Sequence, residues 1–213
     1  MGHTSIIAME GLPVVAAMLA LGGVFWALGW HKAAAVAAAL AVFSLWFFRN
    51  PERRPPQGNG LIIAPADGRI VFVGEVDDAR YMNERTLKVS IFMNVFNVHV
   101  NRAPGAGTVA DIRYNPGKFI SADKDKASMD NEQNALVMEL DSGHRVGFVQ
   151  IAGLIARRIV CWVKPGDHLK RGERFGLIMF GSRVDVYMPA GTAPKVKAGD
   201  KTTAGETVIG VLP

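Results

Sequence analysis

The first 48 residues contain only two charged side chains, Glu10 and Lys32, and are otherwise dominated by Ala, Leu, Val, Trp and Phe. Gly11 to Trp30 is a run of 20 residues without a charge. At about 1.5 Å per helical residue it spans the roughly 30 Å hydrocarbon core of a bilayer. A second uncharged run, Ala33 to Phe48, covers 16 residues and ends at Arg49-Asn50-Pro51-Glu52-Arg53-Arg54. A cleaved signal peptide has its basic residues before a shorter apolar run, whereas here they come after it. The pattern therefore predicts a retained helical hairpin over 1–48. Lys32 lies between the runs and Arg49, Arg53 and Arg54 after them, so the positive-inside bias places the rest of the chain on the cytoplasmic face of the cell (inner) membrane. The shorter second run leaves open an interfacial or re-entrant helix, or one folded onto the soluble domain.

Pro51, Pro55, Pro56 and Gly58-Asn59-Gly60 mark residues 49–60 as a linker, because proline and glycine stop helices and favour turns. Residues 61–213 then read as one domain. Glu10 and Lys32 cancel, so residues 49–213 carry the whole net charge of +5. A chain that is 49% hydrophobic is not disordered, and a single cysteine, Cys161, can form neither an internal disulfide nor a multi-thiolate zinc site. Short β-rich runs occur at Arg69–Val76, Thr86–Met93, Ala135–Leu140, Arg145–Ile151 and Arg158–Val163, separated by turn clusters such as Asp141-Ser142-Gly143. No long 3.6-residue period occurs after Phe48. The expectation is a mainly β domain, an antiparallel sandwich or barrel, with a short helix around Ile151–Ala156.

Lys164-Pro165-Gly166-Asp167 with Gly172-Glu173 is echoed by Lys197-Ala198-Gly199-Asp200 with Gly205-Glu206. Two copies are too few for a solenoid and suggest a duplicated hairpin of the biotinyl or lipoyl type. Asp125-Lys126-Ala127 looks like a lipoylation site, but it lies outside those hairpins in the polar run Ser121–Gln133, which reads as a solvated loop.

Four segments carry the chemistry. They are Ala64-Pro65-Ala66-Asp67-Gly68, Phe92-Met93-Asn94-Val95-Phe96-Asn97-Val98-His99-Val100-Asn101-Arg102, Ile151-Ala152-Gly153 through Ala156-Arg157-Arg158-Ile159, and Phe175 to Pro189 with Gly181-Ser182-Arg183 inside it. In this order, over residues 49 to about 190, they resemble the short form of the phosphatidylserine decarboxylases, which are pyruvoyl enzymes. The resemblance implies self-cleavage between Gly181 and Ser182 into chains 1–181 and 182–213, held as an α/β heterodimer that could dimerise further. Ser182 would become the pyruvoyl cofactor, with no metal and no pyridoxal phosphate. That carbonyl would form a Schiff base with the amine of phosphatidylserine and act as the electron sink for loss of carbon dioxide, giving phosphatidylethanolamine.

The family pattern assigns the base to His99, oriented by Asp67, in triad fashion with an internal substrate. Longer members carry a second histidine where this chain has Phe96, which leaves His99 as the candidate proton donor in turnover. An anionic substrate calls for cations, and Arg183, Arg157, Arg158 and Arg102 are the candidates. Asp130-Asn131-Glu132-Gln133-Asn134 resembles a polar motif of the family and has no role assigned from sequence. His144 and His168 read as solvated. Two other functions remain: a pyruvoyl decarboxylase of a soluble amino acid such as aspartate, which the apolar segment disfavours, and a non-catalytic membrane-anchored biotinyl-like module, which lacks a well-placed acceptor lysine. Nucleic acid is not an expected partner, since the basic residues are scattered and an anionic membrane surface accounts for the charge.

Overall fold

A computed structural model describes residues 5–78, 80–117, 131–153, 158–179 and 181–213, and the chain divides into two compact units, Met1–Glu52 and Arg53–Pro213. In the first unit a 3-10 turn leads into α1 (Leu12–Ala27), followed by α2 (His31–Phe47). Pro13 sits in the first turn of α1, where a missing N–H breaks no helical bond. Gly29, at φ 77, makes the turn between the helices.

Past His31 and Lys32 in the first turn of α2, neither helix has a charged face. Leu19, Val24 and Trp26 on α1 and Val36 and Val42 on α2 are more than half exposed. Such a surface suits lipid rather than water. Met9–Ala27 is long and apolar enough to cross a membrane, and α2 is shorter. A Cβ built on Gly22 would stand 3.5 Å from the Ala37 Cβ, so small residues allow the two helices to approach closely. The two ends of the hairpin are tied together by Ala8 N–H to Phe48 O and Asn50 Nδ2 to Ser5 O, both 2.8 Å. The Arg49 guanidinium lies 3.9 Å from the centre of the Trp46 ring at the exit of α2.

The second unit is made of short strands: β1 (Leu61–Ile63), β2 (Gly68–Asp78), β3 (Glu84–Met93), β4 (Val100–Arg102), β5 (Gly107–Asn115), β6 (Gln133–Leu140), β7 (Arg145–Ala152), β8 (Ile159–Cys161), β9 (His168–Leu169), β10 (Arg174–Ile178), β11 (Ser182–Pro189), β12 (Ala193–Pro194), β13 (Lys201–Thr202) and β14 (Val208–Val211). An eight-stranded antiparallel sheet has the order β13-β2-β3-β11-β7-β6-β5-β9, with two three-stranded sheets, β1-β14-β12 and β4-β10-β8. The mainly β, barrel-like expectation is met. Along β11, Val184, Val186 and Met188 enter one main core with Ile91, Met93, Phe148 and Phe175. Residues 53–60, read as linker, run along this unit, with Arg53 on Asp67, Arg54 N–H on Glu206 and the Arg171 guanidinium on the Pro56 carbonyl.

The echo in the sequence proves to be one part of a larger duplication. Lys164 N–H donates to Asp167 Oδ2 and Lys197 N–H to Asp200 Oδ2, each at 2.9 Å, and Gly166 and Gly199 take φ of 92 and 96. The strands next in the chain, β9 and β13, close opposite edges of the large sheet. The same two-fold logic relates Ala64-Pro65 to Ala103-Pro104. Ile63 N–H donates to Pro104 O and Arg102 N–H to Pro65 O, both at 2.9 Å. The ladders also shift register at matching places, between Ile70 and Phe72 and between Val109 and Asp111.

Two sequence expectations need correction. Ile151 and Ala152 finish strand β7 rather than opening a helix, and residues 154–157 lie outside the described residues. The run Ser121–Gln133 does not end as a solvated loop, because Asn131, Glu132 and Gln133 are buried and Gln133 starts β6. Asp125-Lys126-Ala127 lies outside the described residues.

Candidate active site

Ser182 opens β11 at the centre of the large sheet, paired with Met93 of β3 on one side and Ala152 of β7 on the other. It is fully buried, and its Oγ–H donates to the Met93 Sδ at 3.3 Å. The chain reaches this position from β10, which belongs to a different sheet, so the Gly181–Ser182 peptide sits where the backbone changes sheets. That change requires φ 69 at Gly181. A Cβ on Gly181 would meet nothing within 4 Å, so the glycine is needed for its left-handed φ and not for space. The Gly181 carbonyl accepts the Gly153 N–H at 3.1 Å.

His99 lies just beyond the turn after β3. Asparagines shape that turn: Asn94 N–H donates to Asn97 Oδ1 and Phe96 N–H to Asn94 Oδ1, both at 2.9 Å. His99 is 2% exposed, and its Nδ1 is 3.0 Å from the Asn97 carbonyl. A carbonyl can only accept, so this contact fixes the hydrogen on Nδ1 and leaves Nε2 as the basic nitrogen. Asp67 makes different contacts. Its carboxylate takes Arg53 Nη2 at 3.0 and 3.3 Å and the Ala204 N–H at 2.7 Å. The ring is thus oriented by the Asn97 carbonyl, while Asp67 ties the β1–β2 turn to the segment after β13.

The four arginines separate by environment. Arg183 neighbours Ser182 but points to the opposite face of β11, its Nε 2.6 Å from Asp185 Oδ1 and its Nη2 2.8 Å from Ser90 Oγ. Lys88 Nζ joins the same carboxylate at 2.9 Å. Burial alone raises the Asp185 pKa, but Arg183 and then Lys88 more than offset it, and the carboxyl is held below its usual range. Arg102 is buried, with Nη1 donating to the Gly172 carbonyl at 2.9 Å. Arg158 is exposed, and Arg157 lies outside the described residues. His168 and His144 are polar neighbours of the surface residues Asp141 and Ser142, in keeping with the solvated reading.

Sequence reasoning missed a row of buried amides beside the serine. Asn134 Nδ2 donates to Gln150 Oε1 at 3.0 Å, Gln150 Nε2 to Asn101 Oδ1 at 2.9 Å, and Asn101 Nδ2 points to the Met93 Sδ at 3.9 Å. The row ends on the sulfur that holds Ser182. Polar residues at strand positions facing a core were the available signal, since a buried amide must find partners. Among the described residues, no group of three His, Cys, Asp or Glu side chains that could hold a metal comes together.

A model of the phosphatidylserine decarboxylase family matches residues 40–210. The chain belongs to the phosphatidylserine decarboxylase family. A relative from Citrifermentans bemidjiense is 51% identical over 213 residues, covering 97% of each chain. One from Symbiobacterium thermophilum is 51% identical over 98% of this chain and 96% of its own length. One from Syntrophus aciditrophicus is 49% identical over the full length of both. All three are named phosphatidylserine decarboxylase proenzyme. In this family member the serine, the glycine before it and the histidine lie on β11, at the sheet crossing and at the β3–β4 turn, in the part of the chain that the family model covers.

Proposed function

We propose that this chain is the precursor of a membrane-bound, pyruvoyl-dependent phosphatidylserine decarboxylase that cuts itself between Gly181 and Ser182. The observation that carries the reading is the Gly181–Ser182 peptide: a glycine at φ 69 followed by a fully buried serine, in a chain about half identical to relatives of that name. The buried, largely apolar surroundings of Ser182 suit a reactive ketone, because they exclude water and so limit side reactions.

In the uncut chain His99 takes the Ser182 hydroxyl proton through Nε2, and Oγ adds to the Gly181 carbonyl carbon. Breaking the Gly181–Ser182 C–N bond gives an ester and a free amine at 182. Loss of the Ser182 Cα proton then expels the Gly181 carboxylate, and water replaces the nitrogen as ammonia, leaving a pyruvoyl group at position 182. That group supplies a carbonyl that draws electrons from the carboxylate bond of an amine-bearing substrate. Burial keeps water from position 182, and the proton returned to the substrate carbon would come from His99. Arg158, exposed beside β8, is suited to the anionic headgroup. The product chains remain together by strand pairing: β11 of 182–213 lies between β3 and β7 of 1–181, and β14 pairs with β1.

Intact-mass analysis of the purified protein tests this. Two chains are expected, 1–181 and 182–213, the shorter with a ketoacyl group in place of an N-terminal amine. A single 213-residue chain in active preparations overturns the reading.

The first 48 residues anchor the protein, with residues 49–213 on the cytoplasmic face by the distribution of Arg49, Arg53 and Arg54. The chain is expected to stay with membranes through a high-salt wash. Removing 1–48 should release it while self-cleavage continues, because Ser182 with Met93, and His99 with Asn97, lie in the second unit. Loss of cleavage in the shortened chain would show that the apolar segment completes the fold of that unit.

A further inference from the structure

Ser182 and Ala152 are directly paired in the β11–β7 ladder, so the next N–H of the chain, that of Gly153 just past the end of β7, falls opposite the carbonyl that precedes Ser182. The ladder register aims this donor, and it reaches the Gly181 oxygen at 3.1 Å. The carbonyl of the same peptide unit, Ala152 O, accepts Asn131 Nδ2 at 2.7 Å. Ala152 N–H in turn donates to Glu132 O at 3.0 Å, so residues 131 and 132 clamp Ala152 on both sides. Asn131 and Ala152 are both fully buried.

We infer that this two-link chain of amides, from the Asn131 side chain through the Ala152–Gly153 peptide, holds the negative charge that forms on the Gly181 oxygen when Ser182 attacks. The inference rests on the proposed self-cleavage at Gly181–Ser182 and gives a role to the polar run 131–134. As Oγ bonds to the Gly181 carbon, the carbonyl electron pair moves onto oxygen and the Ser182 proton goes to His99. The oxyanion then returns its pair as the C–N bond breaks, and the proton passes to the departing nitrogen. Charge therefore accumulates on one oxygen, for one step. A donor already within hydrogen-bond reach in the uncut chain needs no reorganisation at that moment, and away from water its dipole counts for more. Asn131 strengthens the donor by polarising the peptide from its carbonyl side, as hydrogen bonds in a chain do. Gly153 is thus a catalytic residue of processing through its backbone, and Asn131 a positioning residue.

The test is made on the full-length chain. Glycolic acid introduced at position 153 by nonsense suppression replaces the N–H with an ester oxygen. The rate of appearance of 182–213 is expected to fall about 10²-fold, as for loss of one oxyanion donor elsewhere. Glycolate at Gly143, which loses one turn bond to the Leu140 carbonyl, is expected to cut at the wild-type rate. Asn131→Ala is expected to slow cutting less than the 153 ester does. Hydroxylamine, which consumes the Ser182 ester and leaves Gly181 as a hydroxamate, separates this role from a general structural one. Added to the Asn131→Ala chain, whose backbone carries no other ester for hydroxylamine to cut, it should leave the lowered rate unchanged, because ester formation is the slow step. Restoration of the wild-type rate by hydroxylamine, or unimpaired cutting by the 153 ester, overturns the inference alone. A wild-type chain that stays whole overturns the self-cleavage reading and the inference with it. Where the 153 ester does not fold, the Ser182→Ala precursor answers the same question. Its Gly153 amide should exchange slowly with solvent, and exchange at the rate of an open amide overturns the inference.

Discussion

Ser182→Ala should leave a single 213-residue chain, and His99→Ala should slow its cutting by about 10²–10⁴-fold, the usual contribution of a positioned general base. The first effect is complete because alanine has no oxygen to form the ester. The second is large because a serine hydroxyl is a weak nucleophile until its proton has somewhere to go. His99 is suited to take it, since the Asn97 carbonyl at 3.0 Å keeps the hydrogen on Nδ1 and the basic nitrogen on the other side of the ring. Gel densitometry of the fragments against time, with intact mass to locate the cut, reads both variants. His99→Ala cutting at the wild-type rate would mean that another group takes the Ser182 proton. Asp67→Asn is expected to have a smaller effect than His99→Ala. An asparagine Oδ1 can still accept the Ala204 N–H, now 2.7 Å from Asp67, while the ion pair to Arg53 is lost.

The parts legible in the sequence are those for which a residue type has no substitute. The two uncharged runs, 11–30 and 33–48, predict the helical hairpin, and alternating β-branched residues predict β2, β3, β6 and β7 to within two residues of their observed ends. Strand β5 (Gly107–Asn115) escapes because its later residues face solvent and no apolar alternation marks them. Strand β11 escapes for the opposite reason: all but the last of its residues are buried, on both faces, so polar Ser182, Arg183 and Asp185 interrupt what would otherwise read as a continuous apolar run. The duplication is visible only at its turns. A left-handed φ demands Gly166 and Gly199, and Asp167 and Asp200 cap their turns. The matching strands repeat hydrogen bonds, which any side chain allows. In the same way Gly181, Ser182 and His99 are legible through the family pattern. The Gly153 donor is not, because a backbone N–H has no signature until a ladder register gives it a target. Asn131 lay in a run that looked like solvated loop.

Asp185→Ala should destabilise the uncut Ser182→Ala precursor by about 3–5 kcal/mol, the range for breaking one partner out of a buried ion pair. Asp185 is fully buried, Arg183 is 2% exposed, and the carboxylate sits 2.6 Å from Arg183 Nε and 2.9 Å from Lys88 Nζ. Removing it takes away the carboxylate that joins the two cations. The exposed pair Arg85–Glu75 gives the contrast, since solvent screens it and its loss should cost about 1 kcal/mol or less. Chemical denaturation of the two variants compares these losses directly. The acid response comes from the lowered Asp185 pKa, to which burial is opposed and Arg183 and Lys88 contribute the larger combined effect. A carboxyl whose pKa is lower folded than unfolded adds stability above its unfolded value, about 4, and that stability is lost as pH falls toward the folded one. The precursor with Asp185 intact should therefore lose stability on acidification below about pH 4, and the Asp185→Asn chain should lose less over the same interval. A double variant, Arg183→Met with Asp185→Leu, removes both charges of the closest pair but leaves Lys88, which is 12% exposed in its side chain and can turn toward solvent. It should recover much of the loss, because well-packed apolar residues often match a buried ion pair. If it does, the triad fixes which face of β11 each residue takes rather than supplying net stability. Arg183 on Asp185 then keeps the neighbouring Ser182 turned to Met93 on the opposite face, and the double variant should fold stably yet cut more slowly than the wild-type chain when Ser182 is restored.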